Sequence, residues 1–223
     1  DEETVNTKLL TGEIEIKCES LEVLSPKAHT LPFEIDGMQE VNEEIRLKYR
    51  YLDMRSKKIS NNIKLRSDVL HYLRNKMYDL GFTEVQTPIL TVSSPEGARD
   101  FVVPSRKFKG KFYALPQAPQ IYKELLMVGG VDKYFQVAPC FRDEDSRKDR
   151  TLEFYQLDME MSYVTEDDVL EVGEEIFYDV FSKFSNKEVS PRPFRRIAYK
   201  EAMDSYGSDK PDLRNPLIIK DAS

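Results

Sequence analysis

Apolar and polar residues alternate along two stretches near the middle of the chain, and the alternation predicts a pair of antiparallel strands. Strand side chains change face at every residue. Phe154, Gln156, Asp158 and Glu160 therefore share one side of the second strand, and Tyr155, Leu157, Met159 and Met161 the other. The first strand groups Gln136, Ala138, Cys140, Arg142 and Glu144 against Phe135, Val137 and Phe141. The apolar side should pack on helices. The opposite side carries an arginine and several carboxylates, which suits either a solvated ribbon or a surface that holds a charged small molecule.

Helical spacing appears on both sides of this pair. Ile63, Val69, Leu70, Leu73, Met77 and Leu80 predict a helix over about 62–80, with Gly81 as its C-terminal cap and a strand from Phe82 to Ile89 after it. A second helix should start at Pro119 and stop at Gly129-Gly130. Thr165 with Asp168 reads as the opening of a third, whose face Val169, Val172, Ile176, Val180 and Phe184 would cover the sheet. Nearer the N-terminus, Gly12 to Val23 alternates like a single strand, and Ser25 to Pro32 has the turn chemistry of a hinge. Antiparallel strands with helices segregated around them make an α+β domain.

Composition narrows the class without choosing a function. With 223 residues, 40% apolar and 33% charged, the chain can bury one sizeable core as a water-soluble protein. No apolar run approaches the roughly 20 residues of a membrane helix. The N-terminus lacks a basic segment followed by an apolar run, so no secretory signal is expected. Cys18 and Cys140 are the only cysteines, which suits a reducing compartment and points to the cytoplasm or an organelle interior. The net charge of -7 is unfavourable for RNA contact as a whole, so local patches decide. Two basic patches occur, Arg106 to Lys111 in a predicted hairpin turn and Arg147-Lys148-Asp149-Arg150 between the two main strands; either serves equally well as a solvated turn.

Neither Gly-x-Gly-x-x-Gly nor the P-loop pattern is present, so any phosphate must meet side chains rather than a glycine-rich cradle. His29 and His71 are the only histidines, and neither sits at metal-ligand spacing; no metal ligand is assigned.

Cys140-Phe141-Arg142-Asp143-Glu144-Asp145 and Glu153-Phe154-Tyr155-Gln156-Leu157-Asp158-Met159-Glu160 resemble the motif 2 hairpin of class II aminoacyl-tRNA synthetases. Arg50-Tyr51-Leu52-Asp53-Met54-Arg55 is similar to the signature of the aspartate, asparagine and lysine members, and Gly81 to Leu90 to motif 1. Ser94 to Phe101 and Tyr206 to Arg214 resemble the bacterial-type aspartyl enzymes in particular. The resemblance covers nearly the whole chain.

That resemblance implies an aspartate–tRNA ligase that activates L-aspartate with ATP and Mg2+ and transfers it to tRNA, working as a homodimer through motif 1. It implies that Arg142 is the catalytic residue, bridging the aspartate carboxylate and the α-phosphate, with Asp143, Glu144 and Phe154 on the ATP side and adenine stacked on Phe154. Glu96, Gln120 and Asp158 match positions that hold the α-ammonium group, and Lys123 the one that pairs with the side-chain carboxylate. Arg147, Lys148 and Arg150 would face the acceptor end of tRNA. Plain core packing for Phe154 and a solvated charge for Lys123 remain the ordinary alternatives.

The pattern departs from the family in three places. Ala118 stands where Ser is common, and Thr151-Leu152 replaces Gln-Pro, which affects one ATP-side contact. No motif 3 follows, so the chain resembles a fragment whose magnesium ligands and second ATP arginine lie elsewhere. The implied domains are 1–30, the end of an OB-fold anticodon barrel and hinge; 31–216, the class II catalytic domain; and 217–223, the start of an inserted domain. Two function classes stay open, part of an aspartate–tRNA ligase or a non-catalytic dimerising and RNA-interacting module derived from one. A ligase that charges both aspartate and asparagine tRNAs is a further alternative.

Overall fold

The computed structural model describes residues 5–35, 41–94, 96–147 and 150–220. It divides into two compact units, Asp1–Asn62 and Ile63–Ser223.

In the first unit, α1 (Glu43–Lys48) and α2 (Arg50–Asp53) follow one another closely. The Asn42 side chain accepts from the Glu44 N–H at 2.8 Å, supplying the first helix with an N-cap. Asp53 is buried and takes Arg46 at 2.9 Å together with Arg50. The hydrogen bond from Arg46 holds the Asp53 carboxyl below its usual range. The signature stretch is thus a charge clasp within its own unit. Among the described residues the alternating stretch Gly12 to Val23 joins no ladder, contrary to the single strand expected there. Strand form needs a neighbour to satisfy its backbone, and Ile14 and Ile16 stay exposed with none.

Helix α3 (Lys57–Asp79) begins five residues before the expected start and spans the boundary between the units. It ends at Gly81, whose φ of 82° is a left-handed conformation that costs glycine little. The following β1 is Thr83–Glu84, far shorter than the strand expected from Phe82 to Ile89. Pro88 has no N–H to give a ladder, and the Gln136 side chain takes the Thr87 N–H at 2.8 Å in place of a backbone partner.

The second unit is built on β4 (Lys133–Phe141) and β5 (Glu153–Met161), which pair antiparallel through nine residues each. β1 joins β4 in parallel, giving the order β1-β4-β5. A separate hairpin pairs β2 (Val102–Pro104) with β3 (Phe112–Ala114), as the basic turn predicted. Met77, Phe82, Phe135 and Ile176 form the buried core, with Leu73, Leu80, Leu157, Met159 and Met161 against them. Ile176 comes from α5 (Glu166–Phe184), which opens with the expected Thr165/Asp168 capping box. Lys76 fastens α3 to α5 through Glu175 and Asp179, the latter at 2.8 Å. A last helix, α6 (Tyr199–Tyr206), follows. Helices on the apolar face of a largely antiparallel sheet give the α+β class expected.

Candidate active site

The register of β4 and β5 sets the polar face. Gln136 lies opposite Asp158, Ala138 opposite Gln156, and Cys140 opposite Phe154. A solvated ribbon would expose these positions, but Gln136, Ala138, Cys140 and Asp158 are all buried. The solvated-ribbon reading therefore fails over this stretch.

Helix α4 (Gln120–Val128) helps cover it, starting one residue after Pro119 and capped at Gly129. It delivers Lys123, whose side chain is 11% exposed, to β5. The Lys123 Nζ donates to Asp158 Oδ1 at 3.0 Å and meets Glu160 Oε2 at 3.2 Å. Burial pulls the ammonium pKa down, but the hydrogen bonds and charges of the two carboxylates outweigh it and hold it above the ordinary lysine value. The solvated-charge alternative for Lys123 therefore fails. Among the described residues Asp158 Oδ2 is buried with no hydrogen-bond partner, an acceptor left open inside a charged cluster. Tyr134 is fully buried on the same face, and burial, then the Asp158 charge, raise its phenol above the ordinary range.

Farther along the face, the Arg142 guanidinium stands 5.0 Å from the centre of the Phe154 ring, a cation–π arrangement. Its Nε donates to the Gln117 carbonyl at 3.4 Å. Arg142, Glu144, Arg150, Thr151 and Phe154 line a cavity of about 340 Å3, within the size range of small-molecule sites. Thr151 also gives its hydroxyl to the Glu153 carbonyl at 2.7 Å, so the departure at this position is accommodated locally. Arg150 approaches Glu144 at 3.7 Å. Cys140, on this same face, has its thiol pushed up to about 11 by burial; Arg142 opposes the rise, and Asp158 and Glu96 add to it.

The other expected residues are placed less tightly. Gln120 donates to Glu124 at 2.8 Å on its own helix. Glu96 accepts from the Ser94 hydroxyl at 3.1 Å and is exposed. Asp143 uses its backbone N–H, which donates to the Arg99 carbonyl at 3.0 Å. Arg147 is exposed on the connecting loop, bridged through its backbone to Arg150, while Lys148 lies outside the described residues. The sequence reading gave no role to Glu160 or Gln117. Alternation placed Glu160 on the correct face, and only the arrival of Lys123 shows what it meets. Gln117 carried no signal beyond its neighbourhood to Gln120.

The family described as tRNA synthetases class II (D, K and N) matches residues 42–222. A protein of Pelagibacter ubique (strain HTCC1062) named Aspartate--tRNA(Asp/Asn) ligase is 62% identical over 222 residues, 99% of this chain and 37% of that relative. A protein of the same name from Phenylobacterium zucineum (strain HLK1) is 60% identical, with the same coverage. A crystal structure from Leishmania major Friedlin, provisionally named an aspartyl-tRNA synthetase, superposes with a TM-score of 0.61 at 30% identity. It covers 71% of this chain and 32% of its own. This chain spans about 37% of the length of the curated relatives it matches. A match across residues 42–222, together with this identity along the full chain, means that the chain belongs to the class II tRNA synthetases of the D, K and N group.

Proposed function

We propose that this chain is the part of an aspartate–tRNA ligase that holds L-aspartate and half of the ATP site. The observation that carries this reading is the common sheet face. It bears a buried Lys123 fixed between two carboxylates at one point and Arg142 over Phe154, beside an open cavity, at another. Lys123 would pair with the side-chain carboxylate of aspartate, and the open Asp158 Oδ2 would accept from its ammonium group. A neutral asparagine amide would leave that cation without a charged partner, which disfavours it. Glu96 and Gln120 would complete the ammonium side when the substrate arrives.

In the proposed reaction the α-carboxylate of aspartate attacks the α-phosphorus of ATP. An O–P bond forms, the bond to the bridging oxygen breaks, and pyrophosphate leaves. Aspartyl-adenylate then passes its aminoacyl group to a ribose hydroxyl at the tRNA 3′ end, releasing AMP. Both reactants of the first step are anionic, so alignment and neutralisation matter more than proton transfer. Arg142 is suited to both tasks, because its planar fork can donate to the carboxylate and the phosphate at once. Phe154 would offer one face to adenine and Glu144 would line the ATP side. Mg2+ is the usual companion of ATP in the family. Among the described residues no three His, Cys, Asp or Glu side chains converge on a metal position, so no step is assigned to a metal held by this chain.

The relatives' printed name, with both Asp and Asn as acceptors, supports extending the proposal to both tRNAs. A cytoplasmic enzyme fits the reading. Among the described residues no helix is long and apolar enough to cross a membrane. Aspartate-dependent exchange of pyrophosphate into ATP by the full-length polypeptide tests the function. Exchange with aspartate but not asparagine is the expected result; no exchange with either would reject it.

A further inference from the structure

Gln117 is the most fully engaged side chain near the site, at 1% exposure, and no step above uses it. Its Nε2 donates to the Ser94 carbonyl at 3.2 Å and the Ala98 carbonyl at 2.9 Å, and also reaches the Asp100 carboxylate. Its Oε1 accepts from the Ala98 N–H at 3.2 Å. One carboxamide thus grips the segment that carries Glu96 from both sides. The backbone of the same residue does something else. Its carbonyl accepts from Arg142 Nε at 3.4 Å.

We infer that Gln117 is a positioning residue that sets the Glu96 segment and Arg142 relative to each other. A carboxamide is the group this place needs, because the segment presents carbonyls and a carboxylate to one side and an N–H to the other. A carboxylate could accept from Ala98 but would oppose Ser94, Ala98 and Asp100. A hydrocarbon could do neither. The segment has a second attachment nearby, since the Asp143 N–H donates to the Arg99 carbonyl at 3.0 Å. That bond ties it to the residue next to Arg142, so loosening Gln117 should misplace Glu96 without releasing the segment altogether. Glu96 is exposed, and among the described residues its side chain meets only the Ser94 hydroxyl, so its placement depends on the backbone beneath it.

The inference rests on the reading that Glu96 and Arg142 serve aspartate, and it predicts a division of effects. Loss of the Gln117 grip should weaken aspartate while sparing ATP, whose adenine side lies toward Phe154. The test uses the full-length polypeptide and pyrophosphate exchange. Gln117→Glu and Gln117→Met should each raise KM for aspartate about tenfold, roughly the loss of one to two hydrogen bonds, while KM for ATP changes less than about twofold. Adding Asp100→Asn to Gln117→Glu restores one bond with donor and acceptor exchanged, and should recover about threefold of the loss. Asp100→Ala, at a half-exposed position, tests the same grip should the buried substitutions impair folding; a rise of about threefold in aspartate KM is expected. Proportional loss of both substrates in folded variants, or no change in any of them, overturns the inference. Absence of exchange in the unaltered protein would instead reject the function proposed above.

Discussion

The Lys123 ammonium lies 3.0 Å from Asp158 Oδ1 and 3.2 Å from Glu160 Oε2, so a buried cation on α4 is shared by two carboxylates on β5. Removing one partner from such a cluster leaves the others buried and unmatched, which costs more than the cluster itself contributes. Lys123→Met should lower stability by about 3–5 kcal/mol, read as a shift in the urea midpoint. Asp158→Asn should cost less, because Glu160 remains to face the lysine. The Lys123 ammonium titrates above its ordinary value of 10.5. Its stabilisation is therefore complete below the unfolded value and fades as pH rises through the folded one. Equal urea midpoints for Lys123→Met and the unaltered protein would contradict the buried pairing.

Arg142→Lys separates charge from shape. The substitution keeps a cation over Phe154 but removes the fork that can bridge carboxylate and phosphate. Exchange activity should fall by a factor equivalent to about 3 kcal/mol, while thermal unfolding stays within a few degrees of the parent. Undiminished exchange would remove Arg142 from the chemistry.

Cys140 and Cys18 should differ sharply toward alkylating agents. Cys18 is exposed, whereas Cys140 is buried and its thiol is pushed up to about 11. Thiolate is the reactive form, so iodoacetamide at pH 8 should label Cys18 alone in the folded protein. The pH dependence has a definite sign. A thiol whose native pKa lies above its unfolded value of 9.0 stabilises the fold below pH 9, and this is lost between about pH 9 and 11. Cys140→Ala should flatten that part of the stability profile, measured by urea midpoints across the range. Labelling of both cysteines at equal rates would show that the sheet face is open.

Much of this was legible in the chain because local rules and tertiary needs agree. The Thr165/Asp168 box, Gly81 and Pro119 fall where helix ends occur, and period-two alternation put Asp158 and Glu160 on one face. The failures have physical causes too. Residues 12–23 have strand-like alternation but no partner among the described residues, and alternation alone cannot supply a ladder. The strand after Gly81 stops short because Thr87 turns to the Gln136 side chain, a contact 49 positions away that no local pattern encodes. For the same reason the resemblance paired Lys123 with a ligand and not with the Asp158 and Glu160 that already meet it. Gln117 was invisible because a glutamine's role lies wholly in what surrounds it.

The exposed apolar residues of α3 bear on assembly. Ile63, Leu65 and Tyr78 are exposed along the helix, and Ile89 and Leu90 follow β1 in the same state. Proposed pairing of two copies through this region would bury more than about 1,000 Å2 in an isologous contact. Sedimentation at micromolar concentration should show a dimer that Ile63→Glu with Leu65→Glu dissociates. A monomer in the unaltered protein would reject the pairing.

Arg147 and Arg150 allow the proposed RNA contact to be separated from adenylation. Arg147 is exposed on the loop, whereas Arg150 also lines the cavity with Arg142 and Phe154. Each cation that neutralises a phosphate of a single-stranded end adds about 0.7 to the slope of log affinity against log salt. Arg147→Gln should therefore flatten the salt dependence of tRNA binding by about that amount and leave exchange without tRNA unchanged. Arg150→Gln should flatten the slope similarly and also raise KM for ATP, because in the proposal it would face both ligands. Lys148→Gln should behave like Arg147→Gln if it meets the same strand. Identical salt slopes for all three variants and the parent would mean that the loop is only a solvated turn, and tRNA would then have to be held elsewhere on the protein.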